Sequence, residues 1–160
     1  MYFPFRYSLN IEKQILWILL AYFLSKKKYK SVLDIGCGRG DNIKMIRFKK
    51  YLGIDIDTNR VNDNSEKFKN KSIKFLKKDI TSENFINLNH DLVLIIQVFT
   101  NTIFDNTKIM KSLSNAVKAS NKSFIFNTSL KNKNQLLKIE KLLHENNLDF
   151  DISKIEMEIN

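Results

Sequence analysis

The sequence predicts an α/β fold: a doubly wound, mostly parallel sheet with helices on both faces and its C-terminal strand or strands shortened. Three observations carry this. Apolar runs of strand length alternate with stretches of helical period from end to end, the pattern of right-handed β-α-β crossovers. The run Leu92-Val-Leu-Ile-Ile96 is continuously apolar, as a strand covered on both faces requires. Of only four glycines, Gly36, Gly38 and Gly40 fall in one turn between an apolar run and a helical one. Glycine is tolerated where the backbone takes positive φ or where a ligand presses on the main chain. Ligands of such sheets bind beyond the carboxyl ends of the strands, where strand order reverses.

Residues 10–25 read as a helix, with Asn10 as its N-cap. Its apolar run, Ile15 to Leu24, is shorter than the about 20 residues that a bilayer span needs. The lysine cluster Lys26 to Lys28 follows that run, the reverse of a signal peptide. A buried or half-buried helix and no membrane partner are expected. Ser31 to Ile35 is the first strand, ending in the glycine turn. Asp41 to Phe48 reads as the next helix, with Ile43, Ile46 and Arg47 at helical spacing. Lys50 to Ile56 is the second strand, and Asp57 or Thr58 caps a helix through about Lys69. Ser72 to Leu76 and Asp91 to Val98 are the third and fourth strands. Thr107 to Ala119 is a helix, Ser123 to Asn127 the fifth strand, and Asn134 to Glu145 the last helix. Ile155, Met157 and Ile159 alternate with Lys154, Glu156 and Glu158, an edge strand with one wet face.

At 160 residues and 43% apolar, one domain is the natural size. It divides into an N-terminal helical segment (1–30), a core (31–130), and the last helix with its edge strand (131–160). The only proline is Pro4, and no Ser/Gly-rich linker marks a boundary. The single cysteine, Cys37, excludes an internal disulfide and a Cys-rich zinc site. It fits a reducing compartment, the cytoplasm. His90 and His144 are far apart and read as surface residues, so no metal is expected.

Charge is lopsided. Residues 1–80 carry 14 Lys and 4 Arg against 8 acids, whereas residues 81–160 carry 9 Lys against 9 acids. Such a basic half points to a polyanionic partner, RNA among them. Most of these lysines, in Lys26 to Lys30, Lys49-Lys50 and Lys69 to Lys74, precede strands. They therefore belong to the amino edge of a parallel sheet, away from the ligand edge. Arg39, Lys77 and Lys78 are better placed near the ligand.

The turn reads Asp34-Ile-Gly-Cys-Gly-Arg-Gly40. A dinucleotide fingerprint would have its third glycine at position 41, where Asp41 stands. Asp34 and Asp41 would repel a pyrophosphate, which prefers bare N–H groups at a helix start. A ligand with a cationic amino-acid end suits the turn better.

Over roughly residues 31–130 the chain resembles the class I S-adenosylmethionine-dependent methyltransferases, which are Rossmann-like. The resemblance implies S-adenosylmethionine as cofactor, held on its methionine side by the turn. Asp34 would orient the amino group, directly or through water. Gly36 and Gly38 would admit the ligand to the backbone, with Cys37 and Gly40 in the same turn. Asp55, in Gly53-Ile-Asp-Ile-Asp57, would accept both ribose hydroxyls, with Ile56 beside it. Asp79 would face the adenine amino group, and Ile80 would supply an N–H or an apolar wall. Gln97 completes the cofactor set.

A sulfonium methyl is already reactive, so orientation and proximity are the protein's main contribution. Direct displacement without a covalent enzyme intermediate is expected. No catalytic group is marked; Asn101, Thr102 and Phe104 are the acceptor-side candidates. The segment Ile96 to Phe104 lacks the proline pair of amino-directed nucleic-acid methyltransferases. Cytosine-C5 chemistry needs a cysteine nucleophile, and Cys37 lies in the cofactor turn. Ribose 2′-O enzymes of the Lys-Asp-Lys-Glu type need an aspartate near the end of the fourth strand. Asp91 is at its start, and Asp105 is too far along the loop. Gln97, Phe104, Asn115 and Phe126-Asn-Thr128 resemble the messenger-RNA cap guanine-N7 methyltransferases. Asn101 and Thr102 stand where that group has His-Tyr, and Arg39-Gly-Asp41 departs from its Lys-Gly-Gly. A small-molecule acceptor, a non-catalytic methyltransferase-fold subunit that stimulates a partner, and a nicotinamide oxidoreductase remain the competing readings. Acceptor binding can also draw on a partner chain or a homodimer, since the chain has no separate substrate domain and reads as a reduced version or a fragment.

Overall fold

The computed structural model describes residues 11–82, 85, 89–99, 106–128 and 133–145. Asn10, Asn101, Thr102, Phe104 and the expected strand around Ile155 to Ile159 lie outside them. Two compact units are present, residues 1–129 and 130–160.

In the first unit, α1 (Ile11–Ser25) leads into β1 (Lys28–Ile35), which begins three residues earlier than expected. After the glycine turn comes a short 3₁₀ turn, Asp41–Met45, and then β2 (Arg47–Asp55). The helix expected over Asp41 to Phe48 is therefore corrected. Gly40 at φ 73 starts the turn, and Ile46 at φ −116 and ψ 137 has already turned extended. Arg47 and Phe48 belong to β2, in register with Lys28 and Tyr29 of β1. Pairing with β1 overrides the helical spacing of three side chains.

α2 (Thr58–Lys67), β3 (Ile73–Lys77), β4 (His90–Phe99), α3 (Asn106–Ala119) and β5 (Ser120–Thr128) follow. The Asp57 carboxylate caps α2, accepting from the Asn59 and Arg60 N–H groups at 2.9 and 3.4 Å, a device worth about 1 kcal/mol. The strand order is β3-β2-β1-β4-β5, and all four ladders are parallel. Order reverses between β1 and β4. Right-handed crossovers then place the Asp41–Met45 turn and α2 on one face and α3 on the other.

α1 and α2 cover the first face. Leu20 and Leu24 of α1 join Val61 of α2, Met45 and Ile46 over Val32, Tyr51, Phe75, Leu92 and Leu94. On α3, Leu113 and Ala116 are fully buried. Leu33, Ile35, Ile54, Leu92, Leu94 and Ile95 are at most 1% exposed, and each contributes about 1.5–3 kcal/mol of burial. From Ile15 to Leu24 α1 is apolar all round, so Ile18 and Tyr22 stay about half exposed, at 49% and 54%.

In the second unit, α4 (Lys133–Glu145) buries Ile139 and Leu143 one turn apart and leaves Leu137 exposed. No described helix is long and apolar enough to cross a membrane. His144 is exposed as expected. His90 is only half-buried, with its Nδ1 enclosed and without a partner among the described residues.

Candidate functional site

The carboxyl ends of β1 and β2 carry two buried aspartates, Asp34 at 0% and Asp55 at 6% exposure. Each is held by groups on the surrounding turns or on the neighbouring strand. The Gly36 and Cys37 N–H groups both donate to the Ile54 carbonyl, at 2.8 and 3.0 Å. This pins the turn to the end of β2. The Gly38 N–H donates to Asp55 Oδ2 at 2.9 Å, and the Asp57 N–H donates to Asp55 Oδ1 at 3.0 Å. Asn64 of α2 donates from Nδ2 to the Gly38 carbonyl at 2.8 Å. Lys67 Nζ donates to the Arg39 carbonyl at 3.2 Å.

Asp34 is enclosed. Asn42 Nδ2 lies 3.0 Å from both of its oxygens, and the Tyr51 hydroxyl donates to Oδ2. Burial raises its carboxyl to about 6, opposed by the Tyr51 and Asn42 hydrogen bonds and reinforced by the nearby charges of Asp55 and Asp41. Tyr51 is pushed well above the usual phenol range, first by burial and then by Asp34. The Cys37 thiol is raised to about 12 by burial and then by Asp34 and Asp55. It is protonated at neutral pH and is no nucleophile.

The four glycines serve different neighbours. A Cβ on Gly36 would fall 2.3 Å from Val98 Cγ2, on Gly40 2.8 Å from the Phe68 ring, and on Gly53 2.6 Å from the Phe75 ring. Only at Gly38 would a Cβ fit without a clash, its nearest neighbour being Arg60 Nη1 at 3.9 Å. Gly38 also has φ 53, in the left-handed region that glycine enters at little cost. The turn thus has one position with no side chain pressed against it, next to Asp55, although both polar groups of its backbone are engaged.

The remaining predicted residues are spread along the same edge. Ile56 follows Asp55 and is 66% exposed. Asp79 is exposed, and its Oδ1 accepts from both the N–H and the hydroxyl of Thr81 at 2.8 Å. Ile80 is buried at 5%, and its carbonyl accepts from Asn115 Nδ2 at 2.6 Å. The Lys78 N–H donates to the Asp55 carbonyl at 2.9 Å, which ties the Asp79 loop to the Asp55 loop. Gln97 is exposed, and with φ 59 it is the one non-glycine among the described residues at positive φ. Its N–H donates to Asn127 Oδ1 at 2.7 Å. This sits in an irregular stretch of the β4–β5 ladder between Ile95 and Phe99. The same stretch carries Val98, whose side chain leaves no room for a Cβ on Gly36.

Sequence reasoning missed Asn42, Tyr51 and Asn64, which hold Asp34 and the turn. Asparagine is common throughout this chain, and Tyr51 reads as an ordinary strand residue, so neither carries a local signal. Asn115 and Asn127 did stand out, but both donate or accept within the fold. Among the described residues, no group of three or more His, Cys, Asp or Glu is placed to hold a metal ion.

A family model described as "Methyltransferase domain" matches residues 32–120. No curated protein matches the chain significantly. Solved structures share its fold. The N-methyltransferase NodS from Bradyrhizobium japonicum, in complex with S-adenosyl-L-homocysteine, is 20% identical with a TM-score of 0.67, covering 89% of this chain and 78% of that one. Magnesium protoporphyrin IX methyltransferase from Synechocystis with bound SAM is 16% identical with a TM-score of 0.66, covering 88% and 74%. An S-adenosylmethionine-dependent methyltransferase from Clostridium acetobutylicum is 22% identical with a TM-score of 0.58, covering 77% of this chain. This chain spans about half, 52%, of that protein's length.

Proposed function

This chain belongs to the methyltransferase domain family, as a class I enzyme dependent on S-adenosylmethionine, and from that premise we propose how its own residues hold the cofactor and which acceptor class it serves. One observation carries the proposal: the Gly38 N–H bonded to Asp55 at 2.9 Å, at a position where no side chain presses on the turn. This join brings the turn after β1 and the acid after β2 into one cradle. The cradle fits a ligand with an amino-acid end and a diol.

Asp55 would hold the ribose. Each of its oxygens accepts one backbone N–H, and a carboxylate oxygen keeps a second lone pair for a hydroxyl. Gly36 and Gly38 would border the methionine end. Asp34, with both oxygens engaged and no exposed surface, acts on the amino group through its charge and through the turn it braces. The exposed Ile56 would lie against the adenine, with Ile80 and Asp79 around its edge. Gln97 would border the methionine end from β4. When bound, S-adenosylmethionine supplies a methyl group already activated on a sulfonium, for direct transfer. The chain's part is to orient and enclose.

For the acceptor, the reading we carry is RNA. Arg39, Lys77 and Lys78 support it, since they stand on the loops of the cofactor edge and a phosphate-bearing acceptor would meet them there. Cap guanine-N7 chemistry is not the form we favour: Asn115 and Asn127 make hydrogen bonds inside the fold, and the matching family model is the general one. A small-molecule acceptor is the second reading, supported by the likeness to magnesium protoporphyrin IX methyltransferase.

Titration calorimetry with S-adenosylmethionine tests the cofactor site: binding by the native chain, and binding roughly 10- to 100-fold weaker by D55A, is expected. No heat from either would overturn it. Tritium transfer from labelled cofactor onto RNA, protein and small-molecule pools separates the acceptors, and label in the small-molecule pool alone would remove RNA.

A further inference from the structure

The ladders do not end together at the amino edge of the sheet. β1 pairs with β2 from Lys28↔Arg47 onward. Its pairing with β4 starts only at Val32↔Leu92, and β2 pairs with β3 only from Tyr51↔Ile73. Residues 28–31 and 47–50 therefore form a two-stranded ribbon that overhangs the five-stranded sheet. Side chains alternate across a strand. Tyr29 is buried and Phe48 half-buried, opposite one another. Lys28, Lys30, Arg47 and Lys49 lie on the other face of the ribbon, all exposed.

Like charges directly opposite one another destabilise a sheet, and Lys28 faces Arg47. The acid beside the ribbon among the described residues is Asp91, which accepts from the Lys30 backbone N–H at 2.9 Å and pairs with Lys122 at 3.5 Å. Asp91 also feels the Lys30 charge, so its single carboxylate is shared with Lys122 and offsets Lys30 only in part. Lys26, Lys27 and Lys50 extend the exposed basic surface. Tyr22, 54% exposed in the last turn of α1, carries Lys26 Nζ over its ring at 3.8 Å.

We propose that this basic ribbon is a docking surface for the phosphate backbone of RNA. Closely set cations of one sign fit a polymer whose charges are also closely set. The ribbon's cationic face carries no apolar side chain, which a bilayer-seated surface would need. From Lys28 to Ile35 the strand spans about 23 Å at ~3.3 Å per residue. The strip thus lies away from the cofactor edge, and RNA bound there is tethered rather than placed for reaction. The proposal uses none of the residues of the cofactor reading, so either can fail alone.

Fluorescence anisotropy with a labelled 20-nucleotide oligouridine tests it across 50–200 mM salt. The variant K28Q/K30Q/R47Q/K49Q should bind about tenfold or more weakly at 100 mM salt. Its log–log salt slope should be shallower by about 2–3, from ~0.7 per lost phosphate contact. The variant K108Q/K111Q/K138Q/K141Q, with the same change in net charge, should stay within about threefold of the native chain. Removing the opposed charges should also raise the ribbon variant's melting temperature at low salt, which confirms that it folds. Equal losses in the two lysine variants would overturn the proposal. So would binding of polyglutamate as tight as RNA, or binding of vesicles with 30% phosphatidylserine without RNA binding.

Discussion

The backbone N–H of Gly38 donates to the Asp55 carboxylate across 2.9 Å, so the turn after β1 and the acid after β2 form one structural unit. Any ligand that engages Asp55 also reads the conformation of the turn. Removing the carboxylate orphans two backbone donors, on Gly38 and Asp57, besides losing the ligand's acceptors. Asp55→Ala should weaken S-adenosylmethionine binding by roughly 10- to 100-fold, as a lost charged hydrogen bond costs about 1.5–3 kcal/mol. Asp55→Asn, which keeps one acceptor oxygen, should fall between the two in calorimetry.

Gly38 and Gly53 should fail in different ways. Gly38→Ala meets no neighbour closer than 3.9 Å, so its melting temperature should drop only by what the positive φ costs, about 1 kcal/mol. Its cofactor affinity should drop much further. Gly53→Ala drives a methyl into the Phe75 ring at 2.6 Å and should cost about 1–3 kcal/mol of stability. Phe75→Leu should recover part of that loss in the double variant. Equal melting temperatures for the two alanine variants would contradict this division.

Asp34 makes stability depend on pH in a defined sense. Its folded carboxyl is raised to about 6, against an ordinary value of 3.8. The folded state therefore holds the proton more tightly than the unfolded chain. The stability this gives is fully present below about 3.8 and is lost as pH rises through about 6, a loss of order 3 kcal/mol. His90 works in the opposite sense, since burial lowers its pKa and acid then favours the unfolded state. Urea unfolding of the native chain and of Asp34→Asn between pH 4 and 7 isolates the first effect: the gap between them should narrow as pH rises.

Tyr51→Phe should cost about 1–3 kcal/mol at neutral pH, because Asp34 loses its hydroxyl donor in a buried site. The Tyr51 hydrogen bond also lowers the Asp34 pKa. Without it the carboxyl rises further, and the window of stability loss extends to higher pH. An unchanged pH profile of unfolding would sink this account.

Gln97→Gly should stabilise the fold. The native residue sits at φ 59, where a side chain costs roughly 1–2 kcal/mol. Relief of that strain exceeds the extra flexibility of glycine in the unfolded chain, about 0.5–1 kcal/mol. Asn127→Ala, which orphans the Gln97 N–H, should lower the melting temperature instead.

The alternation of strands and helices was legible because burial imposes period on long segments. Leu92 to Ile96 reads as a central strand and is one. The stretch from Asp41 to Phe48 was not legible. Ile43 and Ile46 have helical spacing, yet Phe48 is recruited to β2 by Tyr29 across the sheet, a partner that no local window contains. The glycines mark the site but overstate it. The sequence cannot tell a glycine cleared for Val98, Phe68 or Phe75 from one left open, and only Gly38 is open. Asp34 and Asp55 were found because acid and glycine stand at fixed spacing. Asn42, Tyr51 and Asn64 act across the fold, where spacing carries no information.

The overhanging ribbon sets the order in which the sheet opens. Lys28 to Ser31 hold a strand partner on one side only, whereas Val32 to Ile35 hold partners on both. Amide protons of the overhang, apart from that of Lys30, which Asp91 holds, should exchange with solvent deuterium well before those of the β1 centre. Fraying then starts at the basic end and reaches Asp34 last, so the aspartate that braces the glycine turn sits in the slowest-exchanging part of the strand.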